Sequence, residues 1–327
     1  MNNSFGNILR VSIFGASHDE AVGIIVEGVP EGIYLPTALF DSDLNRRRPQ
    51  RVGETSRHES DTPHISGLDA NDYTTGQPLR IEFRNQDTRS KDYSHLRRQP
   101  RPSHADLVQM RKYGPDYNIA GGGMASGRMT VALVAAGVVA KRVLDNVEFS
   151  TKVIRIGGES DPQKQEELIR SVTHEGDSIG GVVECRVTGI PHSLGEPFFD
   201  SAESIIAHLL FSVPGVKGVE FGDGFAGAKK RGSERNDMII SAEGKTETNN
   251  EGGINGGITN GNHIVVRVAV KPTPSISREQ MTYDFERGES LTLIVGGRHD
   301  ACIARRAGVV IEAMVALALA DLKLRAE

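Results

Sequence analysis

The chain has 327 residues, with 38 Lys and Arg against 43 Asp and Glu, a formal net charge of -5, and two cysteines. That length builds a large core, as one big domain or two smaller ones. The acidic balance argues against a general nucleic-acid binder, and Cys185 and Cys302 alone exclude a disulfide framework and suit a reducing, cytoplasmic compartment.

In chain order, the first residues lack a basic-then-apolar leader. Residues 8–13 and 23–27 predict strands. Residues 41–48 predict a helix capped by Asp41 or Ser42 and stopped by Pro49. Residues 79–83 alternate like a half-buried strand. Residues 126–144 are apolar almost all round, which predicts a central, buried helix. A further helix covers 202–211. The glycine-rich polar stretch 246–262 is long for a compact domain and predicts a functional or mobile loop. Residues 264–270 predict a strand, and 301–324 a long, nearly all-apolar helix. Glu312 and Asp321 interrupt that last stretch, so it reads as a buried helix rather than a membrane span.

The halves echo each other in the same order. An apolar run ends at Gly28-Val29-Pro30 and another at Gly189-Ile190-Pro191. Phe40-Asp41-Ser42 opens one helix and Phe199-Asp200-Ser201 another. Thr75-Gly76 and Asn260-Gly261 each precede a strand, and Ala136-Gly137-Val138-Val139 parallels Ala307-Gly308-Val309-Val310. These matches suggest a duplicated β–α–β–α unit, roughly 1–145 and 170–327, folded as one pseudo-symmetric domain.

The chemistry-bearing residues cluster where no helix or strand period explains them. His18 follows a strand within Gly15-Ala16-Ser17-His18-Asp19. It is either a surface turn histidine or a proton donor whose pKa Asp19 would raise. Arg46-Arg47-Arg48 ends a helix, where the dipole alone favours cations, and at most two of the three can serve one ligand. In Arg101-Pro102-Ser103-His104-Ala105-Asp106, a solvated basic loop competes with a site where Arg101 holds an anion and His104 serves another group of it. Gly121-Gly122-Gly123 and Gly296-Gly297 precede apolar helical runs. Lys271-Pro272-Thr273-Pro274-Ser275 either clamps a phosphate tail or leaves a sheet edge. Asp300, after Arg298-His299, reads first as the N-cap of the last helix and second as a proton acceptor beside an anion-holding arginine. Cations beside glycine-freed amides ahead of helices suit an oxyanion-rich small molecule, phosphorylated or carboxylated. There is no Walker A sequence, no dinucleotide fingerprint, no nucleophile elbow and no zinc-ligand spacing, so no metal is expected.

At these residues the chain resembles the chorismate synthase family nearly end to end. Gly15 to Pro30 is similar to the family's first signature, Asp43-Leu44-Asn45-Arg46-Arg47-Arg48-Pro49 to its arginine-rich segment, and Arg101 to Asp106 to its Arg-Pro-Gly-His-Ala-Asp. Gly121 to Thr130 resembles its glycine-rich segment. Gly195-Glu196-Pro197, Val216-Lys217-Gly218, Gly222-Asp223-Gly224-Phe225, Gly252-Gly253-Ile254-Asn255-Gly256-Gly257, Lys271-Pro272-Thr273 and Gly297-Arg298-His299-Asp300 continue the likeness.

The resemblance implies an α+β fold, a pseudo-symmetric β–α–β sandwich with a helical layer between sheets, assembled as a homotetramer. It implies a lyase that converts 5-enolpyruvylshikimate 3-phosphate to chorismate by anti 1,4-elimination of phosphate, with reduced FMN required and no net redox change. Reduced flavin lends an electron and takes the hydrogen, so the cofactor does what a side-chain base cannot. By carry-over His18 protonates the leaving phosphate, His104 lies by the flavin ring, and Asp300 relays a proton. Ser17, Arg47, Arg51, Arg101, Ser126, Arg128 and Arg298 would hold substrate. Arg47, Arg51, Met124, Ala125, Ser126, Pro214, Gly215, Gly256, Lys271, Pro272, Thr273, Pro274, Ser275 and Arg298 would hold FMN. An external, NADP-linked reductant would supply the reduced flavin, and no nucleic acid or membrane partner is implied.

The chain departs from the family pattern in three places. Ala16 and Asp19 replace a glutamate and a glycine around His18, Ser103 replaces a glycine before His104, and Met124 and Ala125 replace an arginine and a serine. An Asp19 facing the site would repel phosphate, and the missing arginine would weaken cofactor or substrate binding. The alternative reading is a divergent homologue that binds flavin or an anion without this chemistry.

Overall fold

The computed structural model describes residues 3–88 and 90–327. The first half comprises β1 (Ser4–Phe5), β2 (Arg10–Gly15), β3 (Ala21–Glu27), α1 (Asp41–Arg47), β4 (His64–Ser66), β5 (Leu79–Arg84), α2 (Asp106–Tyr113) and α3 (Thr130–Leu144). The second comprises β6 (Glu148–Ile156), α4 (Pro162–His174), β7 (Gly181–Thr188), α5 (Ala202–Ser212), β8 (Val216–Phe221), the short α6 (Gly224–Gly227) and α7 (Gly232–Arg235), β9 (Ile254–Asn255), β10 (Ile258–Thr259), β11 (Ile264–Val270), β12 (Gln280–Asp284), β13 (Glu289–Leu293) and α8 (Ala304–Ala326).

Two antiparallel sheets carry the same wiring. One runs β1-β2-β3-β5-β4 and the other β6-β7-β11-β8. Setting β1 aside, each sheet pairs its first two strands, then its last, then its third. Helices α1 and α5 each follow a 3-10 turn, Thr37–Phe40 and Phe198–Asp200. Helix α3 lies on β3 and β5, α8 lies on β6, β7 and β11, and the two helices pack on each other. The expected α+β sandwich with helices between sheets is therefore what forms. One continuous hydrophobic cluster runs through both halves, from Leu9 to Leu322.

The helix–helix contact is set by small residues. Gly137 of α3 meets Ala313 of α8 so closely that an added Cβ would stand 2.2 Å from the alanine Cβ. Side chains of α3 from Thr130 to Ala140 are buried without interruption, as the all-round apolar pattern predicts.

Elsewhere, contacts remote in sequence shift the predicted boundaries. The first long strand starts at Arg10, not residue 8, because the N–H groups of Asn7, Ile8 and Leu9 all donate to Asp321 Oδ1 on α8. Helix α1 has no side-chain cap: Phe40 stands at the cap position, the 3-10 turn feeds the helix directly, and Asp41 lies in the first turn. Asp300 does not cap α8, whose cap position is Ile303 with no side-chain hydrogen bond. The stretch 246–262 contains the β9–β10 hairpin. Asp237 pins it, accepting from Thr248 Oγ1 and from the N–H groups of Asn250 and Glu251.

Gly137→Ala should lower stability by about 1–3 kcal/mol through overpacking, although alanine is the better helix former by ~1 kcal/mol. Denaturant unfolding measures this directly, and a variant as stable as the parent would contradict the close crossing.

Candidate active site

A cavity of about 720 Å³ opens where the two halves meet, within the range of roughly 300–1,000 Å³ usual for small-molecule and cofactor sites. Its wall draws on the end of α1, the turn at 101–105, the glycine turn before α3, the α5–β8 junction, the end of β11 and the start of α8. Of the residues singled out from sequence, His104, Asp300, Arg47, Arg101, Ser126, Arg128 and Arg298 line it. So do Met124, Ala125, Pro214, Gly215, Lys271, Thr273, Pro274 and Ser275. Ser17, His18, Arg51, Gly256 and Pro272 are outside the lining. Arg51 is exposed in a turn closed by Glu54, Gly256 is exposed in the β9–β10 turn, and Pro272 rests against Gly180.

Ser17 and His18 stand directly behind the wall. Gly121, Gly122 and Gly123 all take positive φ, at 61°, 90° and 56°, which only glycine adopts in succession without strain. The turn packs so closely that a Cβ on Gly121 would sit 2.6 Å from the His18 ring and 2.7 Å from Ser17 Oγ. A Cβ on Gly122 would sit 3.6 Å from His104 Cε1. The glycine turn thus holds the two histidines on either side of itself. Asp19 is exposed and is not part of the cavity wall.

Among the described residues, nine Lys and Arg side chains line the cavity against three carboxylates, Glu59, Asp61 and Asp300. Arg46, the first of the arginine run, turns away to Glu312, with Nη2 2.7 Å from Oε2, and Arg48 bonds Asn45 and the Ser60 carbonyl. Arg47 points inward and is 5% exposed. Burial lowers its pKa to about 9, against the pull of Asp61, and the guanidinium stays protonated at neutral pH. Arg298 pairs with Asp87, and Arg57 with Glu59 while also donating to Ser17 Oγ at 3.0 Å. Asp300 accepts from Arg306 Nη1 with both oxygens, at 3.1 and 3.0 Å, and from the Thr55 N–H at 3.1 Å.

Arg101 is buried, donating to both oxygens of Asp106 and, through Nη1, to Ser275 Oγ at 2.9 Å. Among these contacts its role is to tie the 101–105 turn to the end of β11. The pairing, with help from His104, holds the Asp106 carboxyl well below the usual carboxylate range against the cost of burial. His104 Nδ1 lies 2.7 Å from Asp106 Oδ1, but off the line of a good hydrogen bond. Burial, more than Asp106 offsets, pushes the His104 pKa down, and burial does the same to His299.

The 271–275 segment of the wall has a different character. Lys271 donates to the Ser103 carbonyl at 2.8 Å, and burial together with nearby Lys217 lowers its pKa. Beside it the buried Thr273 Oγ1 has no hydrogen-bond partner among the described residues. Val213, Val216, Ile303, Ala307 and Val310 supply apolar side chains to the same cavity wall.

Sequence reasoning missed Arg57, Glu59, Asp61, Lys217 and Arg306 as members of this wall. Arg306 carried a signal, since it sits in the first turn of the helix that follows Asp300. Asp61 carried none beyond a carboxylate ahead of Pro63 in a polar loop. Among the described residues, no cluster of His, Cys, Asp and Glu is placed to hold a metal, and no helix is long and apolar enough to cross a membrane.

A sequence profile of the chorismate synthase family matches residues 9–324. A chorismate synthase of Chitinophaga pinensis is 50% identical over 323 residues, covering 98% of this chain and 96% of that one. One from Prochlorococcus marinus is 42% identical, covering 99% and 98%. A solved structure titled as the crystal structure of chorismate synthase superposes with a TM-score of 0.75 at 27% identity, covering 98% of this chain and 93% of that one. With the cationic cavity, the glycine turn and the two flanking histidines in place along a full-length match, the chain belongs to the chorismate synthase family.

Proposed function

We propose that this chain is a lyase that forms chorismate from 5-enolpyruvylshikimate 3-phosphate by anti 1,4-elimination of phosphate, with reduced FMN required. The observation that carries the reading is a single cavity, shared by both halves of a full-length family member, in which a surplus of cations faces an apolar wall. The alternative, a homologue that binds flavin or an anion without the chemistry, is not favoured by 40–50% identity to chorismate synthases over the whole length.

The residues suit FMN. The apolar wall of Val213, Val216, Ile303 and Val310 fits a flat ring system, and Lys217, Lys271 and the unpartnered Thr273 Oγ1 fit its phosphate. Bound in reduced form, FMN would supply the one-electron and hydrogen-transfer chemistry that no side chain offers. The protein's own share is binding and proton management. Arg47, Arg128 and Arg298 offset charge growing on the leaving phosphate, and His18, the assigned proton donor, stands outside the lining and must reach past Gly121 to deliver a proton to it. Asp300, fixed by Arg306 and the Thr55 N–H, is oriented to receive a proton. His104, kept neutral by burial, offers a hydrogen-bonding nitrogen beside the ring without adding charge.

The same reading takes the substrate partner to be a small phosphorylated molecule, the chain to be cytoplasmic, and the flavin to be reduced by an external, NADP-linked source. It takes the chain as one domain with an internal repeat of roughly 1–145 and 170–327. The shared strand order supports this, with β6, ahead of residue 170, matching β2. It also takes the assembly to be a homotetramer. Phe198, Phe199 and Phe225 are 86, 92 and 80% exposed, large apolar side chains of the kind a neighbouring subunit would cover.

Four outcomes test this. Under anaerobic conditions with reduced FMN the protein should release phosphate and form chorismate. His18→Ala and Asp300→Asn should each lower kcat by about 10²- to 10⁴-fold, and wild-type rates in both would reject their roles. Met124→Arg, restoring the family's cation, should tighten FMN binding measured by flavin fluorescence; weaker binding would reject the reading of Met124 as a lost contact. His104 is neutral when folded and its pKa is lowered, so the unfolded chain takes up the proton first. Stability should fall as pH drops below about 6.5. In His104→Gln the melting temperature should fall less steeply over that window, and an equal slope would contradict the buried neutral histidine.

A further inference from the structure

Asp61 is a cavity carboxylate that the chemistry above does not use. It is 3% exposed and adopts a left-handed φ of 47°, unusual for a residue with a side chain. Its Oδ2 accepts from Arg47 Nη1 at 3.0 Å, and its Oδ1 accepts from Arg128 Nη1. One buried carboxylate therefore serves two buried guanidiniums.

Other protein atoms already orient both arginines. Arg47 donates Nε to Thr130 Oγ1 at 3.0 Å and Nη2 to the Gly127 carbonyl at 3.2 Å. Arg128 donates Nε to Asn85 Oδ1 at 2.8 Å and Nη2 to the Arg84 carbonyl at 3.3 Å. Those bonds fix direction, so the distinct contribution of Asp61 is charge. Without it, two desolvated cations would stand close together in the wall, and an incoming phosphate would meet both unopposed.

We propose that Asp61 is a positioning residue that acts through Arg47 and Arg128 as a built-in counter-anion, weakening their hold on phosphate so that the inorganic phosphate leaving group is not trapped. The inference rests on the cavity being the place where a phosphate ester binds. Its physical sense is that tight binding of ground states and products raises no turnover, so a site of surplus cations gains from an internal anion.

The test is titration of inorganic phosphate into flavin-free protein by calorimetry, for the wild type, Asp61→Asn, Asp61→Glu and Asp61→Asn/Arg128→Gln. Asp61→Asn should bind phosphate roughly tenfold more tightly, the size of one nearby charge at intermediate dielectric. Asp61→Glu should bind much as the wild type does, and so should the double variant, where one cation is removed with the anion. A merely structural aspartate would give weaker binding when replaced, so equal or weaker binding by a folded Asp61→Asn overturns the proposal. Should that variant not fold, the double variant decides: wild-type affinity supports the counter-anion, and a tenfold loss overturns it. A wild type that binds no phosphate removes the underlying reading of the cavity and this inference with it. A wild type that binds phosphate beside an Asp61→Asn that binds it no more tightly removes the inference alone.

Discussion

The close crossing of α3 and α8 is the constraint on which the rest of the molecule depends. Gly137 lets the α3 backbone reach Ala313, and that contact fixes how near the two sheets can come. Both helices begin at the cavity. Arg128 and Thr130 stand at the start of α3, and Ile303 and Arg306 at the start of α8, all in its wall. The positive ends of two helix dipoles therefore add to the cationic side chains. A wider crossing would separate Arg47 and Arg128 from Asp300 and Lys271, and no single ligand would touch both groups.

Burial turns that arrangement into a site. Most of the cavity's cations already have an anion or carbonyl of the protein as a partner: Asp61, Glu59, Asp87, Asp106 and Asp300 each take at least one. Isolated buried guanidiniums would be costly, and these pairings hold them charged and aimed before any ligand arrives. Arg101 shows how far this can go. Its guanidinium is spent on Asp106 and Ser275, so it ties two loop segments of the wall together where its place in the sequence suggested an anion contact. Thr273 Oγ1 is the contrast, a buried hydroxyl in the cavity wall with no hydrogen-bond partner among the described residues.

Much of the fold was legible because apolar periodicity is local information. The all-apolar runs of α3 and α8 announced buried helices, β11 was read to its end residues, and the echo between the halves matches the common strand order. What was not legible depends on partners far away in sequence. Asp321 captures the amides of residues 7–9 and delays β2, Arg306 takes Asp300 from a capping role, and Asp237 turns a long polar loop into a pinned hairpin. The same holds for the site. Residue types and the family pattern picked out His104, Arg47, Arg128 and Asp300, because a phosphate ester needs cations and proton carriers. Asp61 stayed hidden, since an acid in an anion site contradicts that logic until its two arginine partners are seen.

The central claim is that both halves fold around one cavity in which a phosphate ester lies against a flavin. A crystal structure of the protein with oxidised FMN and 5-enolpyruvylshikimate 3-phosphate tests it most directly. The account predicts both molecules in this cavity, the flavin on the apolar wall with its phosphate at Lys271 and Thr273, and the ester phosphate between His18, Arg47 and Arg128. Either molecule bound on another surface, with the arginines still closed on their internal partners, would contradict it.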